Sequence, residues 1–210
     1  MKAEVFGVSR LRIGVDGEGV TTLVAFKYCP LKCEYCLNPG ALLKDNQCRV
    51  HTPETLYSEL RKDELYFLAT GGGVTFGGGE PLLWSGFIRE FRKVCGPDWK
   101  INLETSLNVP SAAVQELIPV ADCWIIDIKD MDPGIYFRYT GKDNGKVLDN
   151  LRLLAGEGLA GRCVVRIPSI QGYNTPADVL RSEAVVRELG FEKIDKFKYD
   201  IDYAKRKRNL

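Results

Sequence analysis

The sequence predicts an α/β fold of repeated strand–helix units, and three observations carry that expectation. Short apolar runs rich in β-branched or aromatic residues recur along the chain, helical-period segments with N-cap signals lie between them, and the chemically active residues gather just after the runs. Taken in order, Glu4–Ile13 reads as a small N-terminal hairpin outside the repeat. The expected strands are Thr21–Phe26, Gly73–Phe76, Ile101–Glu104, Cys123–Ile128, Cys163–Ile167 and Lys193–Tyr199, each apolar enough for a strand buried on both faces. Thr52-Pro53 supplies an N-cap and a first-turn proline for a helix carrying Leu56 and Leu60. Pro81–Val94 places Leu83, Phe87 and Phe91 at helical spacing, and Val109–Val120 and Val147–Ala155 follow. Thr175-Pro176 opens a last helix that Gly190 ends. Such an order implies an open doubly wound sheet or a partial barrel, and both put their sites on loops after the C-terminal ends of strands.

Composition bounds the function classes. At 210 residues a single domain spanning 1–210 is expected. Lys and Arg (29) nearly balance Asp and Glu (28), so charge gives no case for nucleic acid or an anionic membrane as partner. No apolar run approaches the roughly 20 residues of a membrane-spanning helix, and Met1–Val5 lacks the apolar stretch of a signal peptide. Seven cysteines are present, three of them between positions 29 and 36. That crowding argues against a secreted disulfide framework and for thiolate ligation in a reducing compartment, hence a cytoplasmic protein.

Cys29-Pro30-Leu31-Lys32-Cys33-Glu34-Tyr35-Cys36 has the spacing CxxxCxxC. Three thiolates on one short loop can converge on a metal. A [4Fe–4S] cluster with three cysteine ligands leaves one iron open to an outside ligand, whereas structural zinc needs a fourth donor, for which Cys48 and His51 are the nearest candidates. Cys95, Cys123 and Cys163 sit in apolar surroundings and read as core thiols.

Gly77-Gly78-Gly79-Glu80-Pro81 follows the second strand of the repeat. Consecutive glycines let a backbone approach a ligand closely, and the adjoining carboxylate can accept from an ammonium group. The run lacks the lysine of a P-loop and the spacing of a dinucleotide fingerprint. Glu104-Thr105 and Asp127-Ile128-Lys129 end the next two strands, and Arg166 is a charge inside an otherwise apolar run. Carboxylates and a lysine at one mouth suit a zwitterionic ligand or a monovalent cation, or else a surface ion pair. Lys205–Arg208 reads as a solvated basic tail.

Together these motifs resemble the radical S-adenosylmethionine (SAM) superfamily, whose signature is CxxxCxxC with an aromatic, here Tyr35, before the last cysteine. Within it the chain resembles the glycyl-radical-enzyme activating enzymes over roughly residues 12–190. Asp16–Thr22 is similar to their "DGPGIRTT", Cys36-Leu37-Asn38-Pro39 to "CHNP", Gly71–Leu83 to "GGGVTFSGGEPLL" and Ile170–Asn174 to "IPGYN". The resemblance implies a partial (β/α)6 barrel of the radical SAM type and one [4Fe–4S] cluster on Cys29, Cys33 and Cys36. It implies SAM bound by Tyr35, Asn38, Gly78, Gly79, Glu80, Glu104, Asp127, Lys129 and Arg166, and a monovalent cation near Glu104, Thr105 and Asp127. The activity implied is reductive cleavage of SAM to a 5′-deoxyadenosyl radical that makes a glycyl radical on a partner enzyme. A flavodoxin- or ferredoxin-like protein would donate the electron. An enzyme acting on a small molecule or peptide shares every cofactor residue and is the alternative. The chain resembles the short form, without a second set of cluster cysteines. Its end, about 194–210, departs from the pattern: Asp200 stands where a cofactor-contacting histidine is expected.

Overall fold

In the computed structural model, which describes residues 1–39 and 48–208, Ala3–Ile13 forms one long strand, β1. The hairpin expected within it is therefore corrected. No turn dipeptide interrupts these residues, and Gly7 is absorbed at a shift of register between Val5 and Gly7. The chain reverses only at Gly14–Gly19, where Gly14, Gly17 and Gly19 adopt positive φ. β1 then pairs antiparallel with β2 (Val20–Phe26), and its first residues pair with the short β3 (Arg49–His51).

The chain divides into two compact units. The first comprises the described residues of Met1–Cys29, Gly40–Thr105 and Ala112–Ile125. Its strand order is β3-β1-β2-β4-β5, with β4 at Gly73–Gly78 and β5 at Lys100–Thr105. β2, β4 and β5 run parallel, in the registers Phe26↔Gly78 and Phe76↔Leu103. Three helices of this unit are α1 (Pro53–Leu60), α2 (Glu64–Thr70) and α3 (Ser85–Cys95). Thr52 caps α1 through a reciprocal box with Thr55. α3 buries Phe87 and Phe91, as the spacing predicts, together with Ile88 and Cys95, whereas Leu83 lies before the helix and is exposed. Stacked and edge-on rings join sheet to helix, with Phe26 5.3 Å from Phe76 and Phe76 5.4 Å from Phe91. The helix expected from Pro81 begins instead as a 3₁₀ turn, Pro81–Trp84, because Glu80 caps it with its side chain before α3 starts. α4 (Ser111–Leu117) completes the helices around the division.

β6 (Cys123–Asp127) is shared, its residues through Ile125 counted with the first unit and the rest with the second. The second unit also holds Pro30–Pro39, Ser106–Ser111 and the chain from Ile126 on. Here β7 (Cys163–Ser169) pairs parallel with β8 (Ile194–Lys198). Its helices are α5 (Pro133–Thr140), α6 (Gly145–Gly156), α7 (Pro176–Glu188) and α8 (Ile201–Arg208). The basic run 205–208 lies in α8, and its Lys205 is exposed. Asp200 accepts from the Tyr203 N–H at 2.8 Å as an N-cap, and Ala204 is fully buried. Side-chain amides fix the loops: buried Asn150 donates to the Leu107 and Val109 carbonyls, and half-buried Asn174 donates to Asp130 and to the Pro168 carbonyl. No described helix is long and apolar enough to cross a membrane.

Candidate metal and cofactor site

In the first unit the approach to Cys29 is fixed backbone group by backbone group. The Phe26 carbonyl accepts from Gly79 N–H at 2.8 Å, and the Tyr28 carbonyl from Glu80 N–H at 2.7 Å. Between them the Lys27 N–H donates to the Glu4 carbonyl at 3.0 Å, and the Lys27 carbonyl accepts from Trp84 Nε1 at 3.0 Å. Tyr28 turns the chain with φ of 71°, a conformation unusual for a non-glycine residue. Its hydroxyl donates to Glu4 Oε1 at 3.1 Å, and its ring stacks on Trp84. The glycine motif therefore has a local purpose besides any ligand: a Cβ on Gly79 would lie 2.2 Å from the Tyr28 carbonyl oxygen. Gly78 ends β4 with φ of 85°, and the Glu104 side chain lies over Gly77. Glu80 is 1% exposed. Its Oε1 accepts from Thr105 Oγ1 at 2.6 Å and from Leu82 N–H at 3.3 Å, so the carboxylate is held in one place.

In the second unit Asp127, Lys129 and Arg166 form one charged group. Arg166 Nε lies 2.5 Å from Asp127 Oδ1, and Lys129 Nζ 3.4 Å from Asp127 Oδ2. Burial alone would raise the Asp127 pKa, but the two cations outweigh it and hold the carboxyl below its ordinary value. Burial likewise works against the Lys129 charge, and the Asp127 carboxylate, with Cys33 nearby, more than restores it. A depressed carboxyl pKa contributes stability that is present above the unfolded value and lost as pH falls through the folded one. We therefore expect the parent to lose stability as pH drops below the ordinary carboxylate value of 3.8. Asp127→Asn should remove that part of the acid loss, as urea unfolding from about pH 6 to about pH 3 would measure. An unchanged acid profile would show that Asp127 is not held ionised.

Cys33 and Cys36 belong to this unit, and both are half-buried. The Cys36 N–H donates to the Cys33 carbonyl at 3.2 Å, and Cys36 Sγ accepts from the Asn38 N–H at 3.4 Å. Burial pushes the Cys33 thiol up to about 11, although Lys129 opposes the shift. The loop itself is fastened to α5, Lys32 N–H donating to the Thr140 carbonyl at 2.9 Å and Glu34 N–H to that of Tyr139 at 3.0 Å. Tyr35 packs edge-on against Tyr173 at 6.0 Å and lies 6.3 Å from Tyr139. The Tyr199 hydroxyl donates to the Tyr35 carbonyl. Sequence reasoning missed Tyr199, and nothing local could have found it, since its acceptor is a backbone carbonyl 164 residues away.

The donor chemistry fits a thiolate-held iron–sulfur group. Lys129, ion-paired with Asp127, lies near Cys33 and favours its thiolate form, which suits an anionic sulfur-rich group. Among the described residues no three His, Cys, Asp or Glu side chains are gathered as a finished metal site.

Comparison with known proteins adds three findings. The family model described as the radical SAM superfamily matches residues 23–180. The (2S)-3-sulfopropanediol dehydratase activating enzyme of Klebsiella oxytoca is 30% identical, with 89% of this chain and 78% of that protein covered. The pyruvate formate-lyase 2-activating enzyme of Escherichia coli (strain K12) is also 30% identical, over 81% of this chain and 68% of its own. Among solved structures, Streptococcus suis SuiB bound to precursor peptide SuiA matches 87% of this chain and 40% of its own, with a TM-score of 0.67. At 16% identity that likeness concerns the fold alone.

Proposed function

Because this chain belongs to the radical SAM superfamily, and within it to the group of glycyl-radical-enzyme activating enzymes, we propose that it generates a glycyl radical on a partner enzyme. The observation that carries this reading is the 30% identity to two activating enzymes over most of both chains. The matched span, residues 23–180, also contains each proposed cluster ligand. The family implies a [4Fe–4S] cluster and SAM. In this proposal Cys29, Cys33 and Cys36 hold the cluster, and a flavodoxin- or ferredoxin-like protein reduces it in a reducing, cytoplasmic setting. When bound, the cluster supplies the electron that splits SAM into methionine and a 5′-deoxyadenosyl radical.

The chain's own residues bind and orient. Glu80, fixed by Thr105 and the Leu82 N–H, presents a stationary negative charge suited to the amino group of SAM. Gly78 and Gly79 carry the backbone past that end of the ligand. Lys129 and Arg166, fixed by Asp127, supply cations for its carboxylate or ribose hydroxyls. Tyr35 and Asn38 flank Cys36 and border the same cofactor. A glycine Cα–H suits the reaction because the product radical is shared between the adjoining amide N and C=O. The donated hydrogen atom ends on the 5′-carbon as 5′-deoxyadenosine, which requires near-attack contact with an extended loop of the partner.

Mixing the reduced protein, SAM and a glycyl radical enzyme without oxygen should give a glycine-centred doublet by electron paramagnetic resonance. That doublet should collapse when the partner's glycine Cα carries deuterium. SAM turnover that alters a small molecule or free peptide, with no radical on any protein, would replace this reading with the alternative one.

A further inference from the structure

We propose that Tyr199 is a positioning residue for the metal loop, so that the C-terminal segment of this chain serves to hold Cys36 in place. The inference rests on the three-cysteine reading above and assigns a purpose to a segment beyond the span that the family model matches.

Tyr199 stands between two ordered elements. Its N–H donates to the Ser169 carbonyl at 2.9 Å, extending the β7–β8 ladder by one residue. The next residue, Asp200, caps α8 with its side chain and accepts the Ala204 N–H at 3.1 Å with its carbonyl. The backbone of Tyr199 is thus fixed on both sides, and the direction of its side chain with it. That side chain spans to the cysteine loop. Its hydroxyl donates to the Tyr35 carbonyl.

The bond matters because of the peptide it grips. The Tyr35–Cys36 peptide is a planar unit. Its carbonyl end is held by Tyr199, and its N–H end by the Cys33 carbonyl at 3.2 Å. A planar unit held at both ends resists rotation, so the positions of Cys36 N and Cα are set before any metal arrives. Cys36 Sγ then accepts the Asn38 N–H at 3.4 Å. α8 reinforces the same point, with Lys205 Nζ 6.0 Å from the centre of the Tyr35 ring. Without the Tyr199 hydroxyl, the carbonyl half of this clamp is lost and the ring remains. Preset ligands bind a metal more tightly because less order must be imposed on binding.

The test compares the parent with Tyr199→Phe, which keeps the ring and removes the donor. Tyr139→Phe, which removes a neighbouring hydroxyl and keeps the Tyr199–Tyr35 bond, is the second variant. In the metal-free protein, alkylation of each cysteine is followed by mass spectrometry, with thermal unfolding recorded alongside. Tyr199→Phe should speed alkylation of Cys36 by about fivefold, the factor carried by one neutral hydrogen bond. Cys29 and the unfolding midpoint should stay close to the parent. After anaerobic reconstitution, release of iron to a chelator should accelerate by a similar factor of about five. The g-values of the reduced cluster should move as well, and Tyr139→Phe should shift each readout less, in the same direction. Unchanged Cys36 alkylation and iron release in Tyr199→Phe would overturn the proposal. So would equal acceleration at Cys29 with a lowered unfolding midpoint, which is general loosening. A parent that takes up no iron would remove the cluster reading alone, because the alkylation contrast still decides whether Tyr199 holds the loop.

Discussion

Cys29→Ala, Cys33→Ala and Cys36→Ala, made one at a time, are each expected to reduce bound iron to background and abolish SAM cleavage. The parent, reconstituted without oxygen, should hold about four irons and four sulfides. The effect should be all-or-none because, in the proposed reading, these three thiols are the cluster's protein ligands and leave its fourth iron for an outside ligand. Cys95→Ala, Cys163→Ala, Cys123→Ala and Cys48→Ala should bind iron like the parent. Cys95 is buried, its pKa is pushed up to about 11 by that burial, and its Sγ points to the Gly96 carbonyl at 3.5 Å. Cys163 is fully buried, 3.3 Å from the Leu159 carbonyl. Neither is a ready thiolate. Iron assay, sulfide assay and visible absorption decide the outcome. Zinc in place of iron, or loss of metal in Cys48→Ala, would establish the four-ligand zinc site that spacing alone left open.

Much of the sheet was legible because parallel strands covered on both faces must be continuous apolar runs. Thr21–Phe26 and Cys163–Ile167 are found within two residues of their observed ends. β1 was not legible in the same way, since its extent follows from antiparallel pairing with β2, which is a tertiary event. α5 and α8 carried signals that went unread. Asp132-Pro133 opens α5 and Gly141 closes it, while Asp200 and Asp202 precede a basic run, the order of charge that suits a helix. The candidate site splits along similar lines. Asp127 and Lys129 are legible as charges at a strand end and Arg166 as a charge inside a strand, and the structure joins them in one ion-paired group. What the sequence hides are the bonds to backbone carbonyls, which leave no residue signature. Trp84 on Lys27 and Tyr199 on Tyr35 are both of this kind.

Gly79→Ala should be the most damaging single methyl in the glycine motif, even without any ligand. The two shortest approaches to an added Cβ are the Tyr28 oxygen at 2.2 Å and the Phe26 oxygen at 2.7 Å. Both are backbone atoms, and both already accept hydrogen bonds from the glycine loop itself. Neither can swing aside as a side chain would, so the two segments must part and those bonds must lengthen. We expect the metal-free protein to lose about 3 kcal/mol, the sum of an overpacked contact and a weakened pair of bonds. Gly79→Val should cost more, since two further carbons enter the same space. Gly156→Ala is the internal control: it lies in α6 with open space around the new Cβ and should gain up to about 1 kcal/mol. Chemical unfolding of the three variants, without metal or SAM, measures all of this. The experiment separates two reasons for the glycine. If its only purpose were to let a ligand approach, Gly79→Ala would be as stable as the parent when empty and would fail only in SAM binding. If it is needed to join the loop to Phe26–Tyr28, stability falls first. Iron content should then fall too, because the displaced segment leads directly into Cys29.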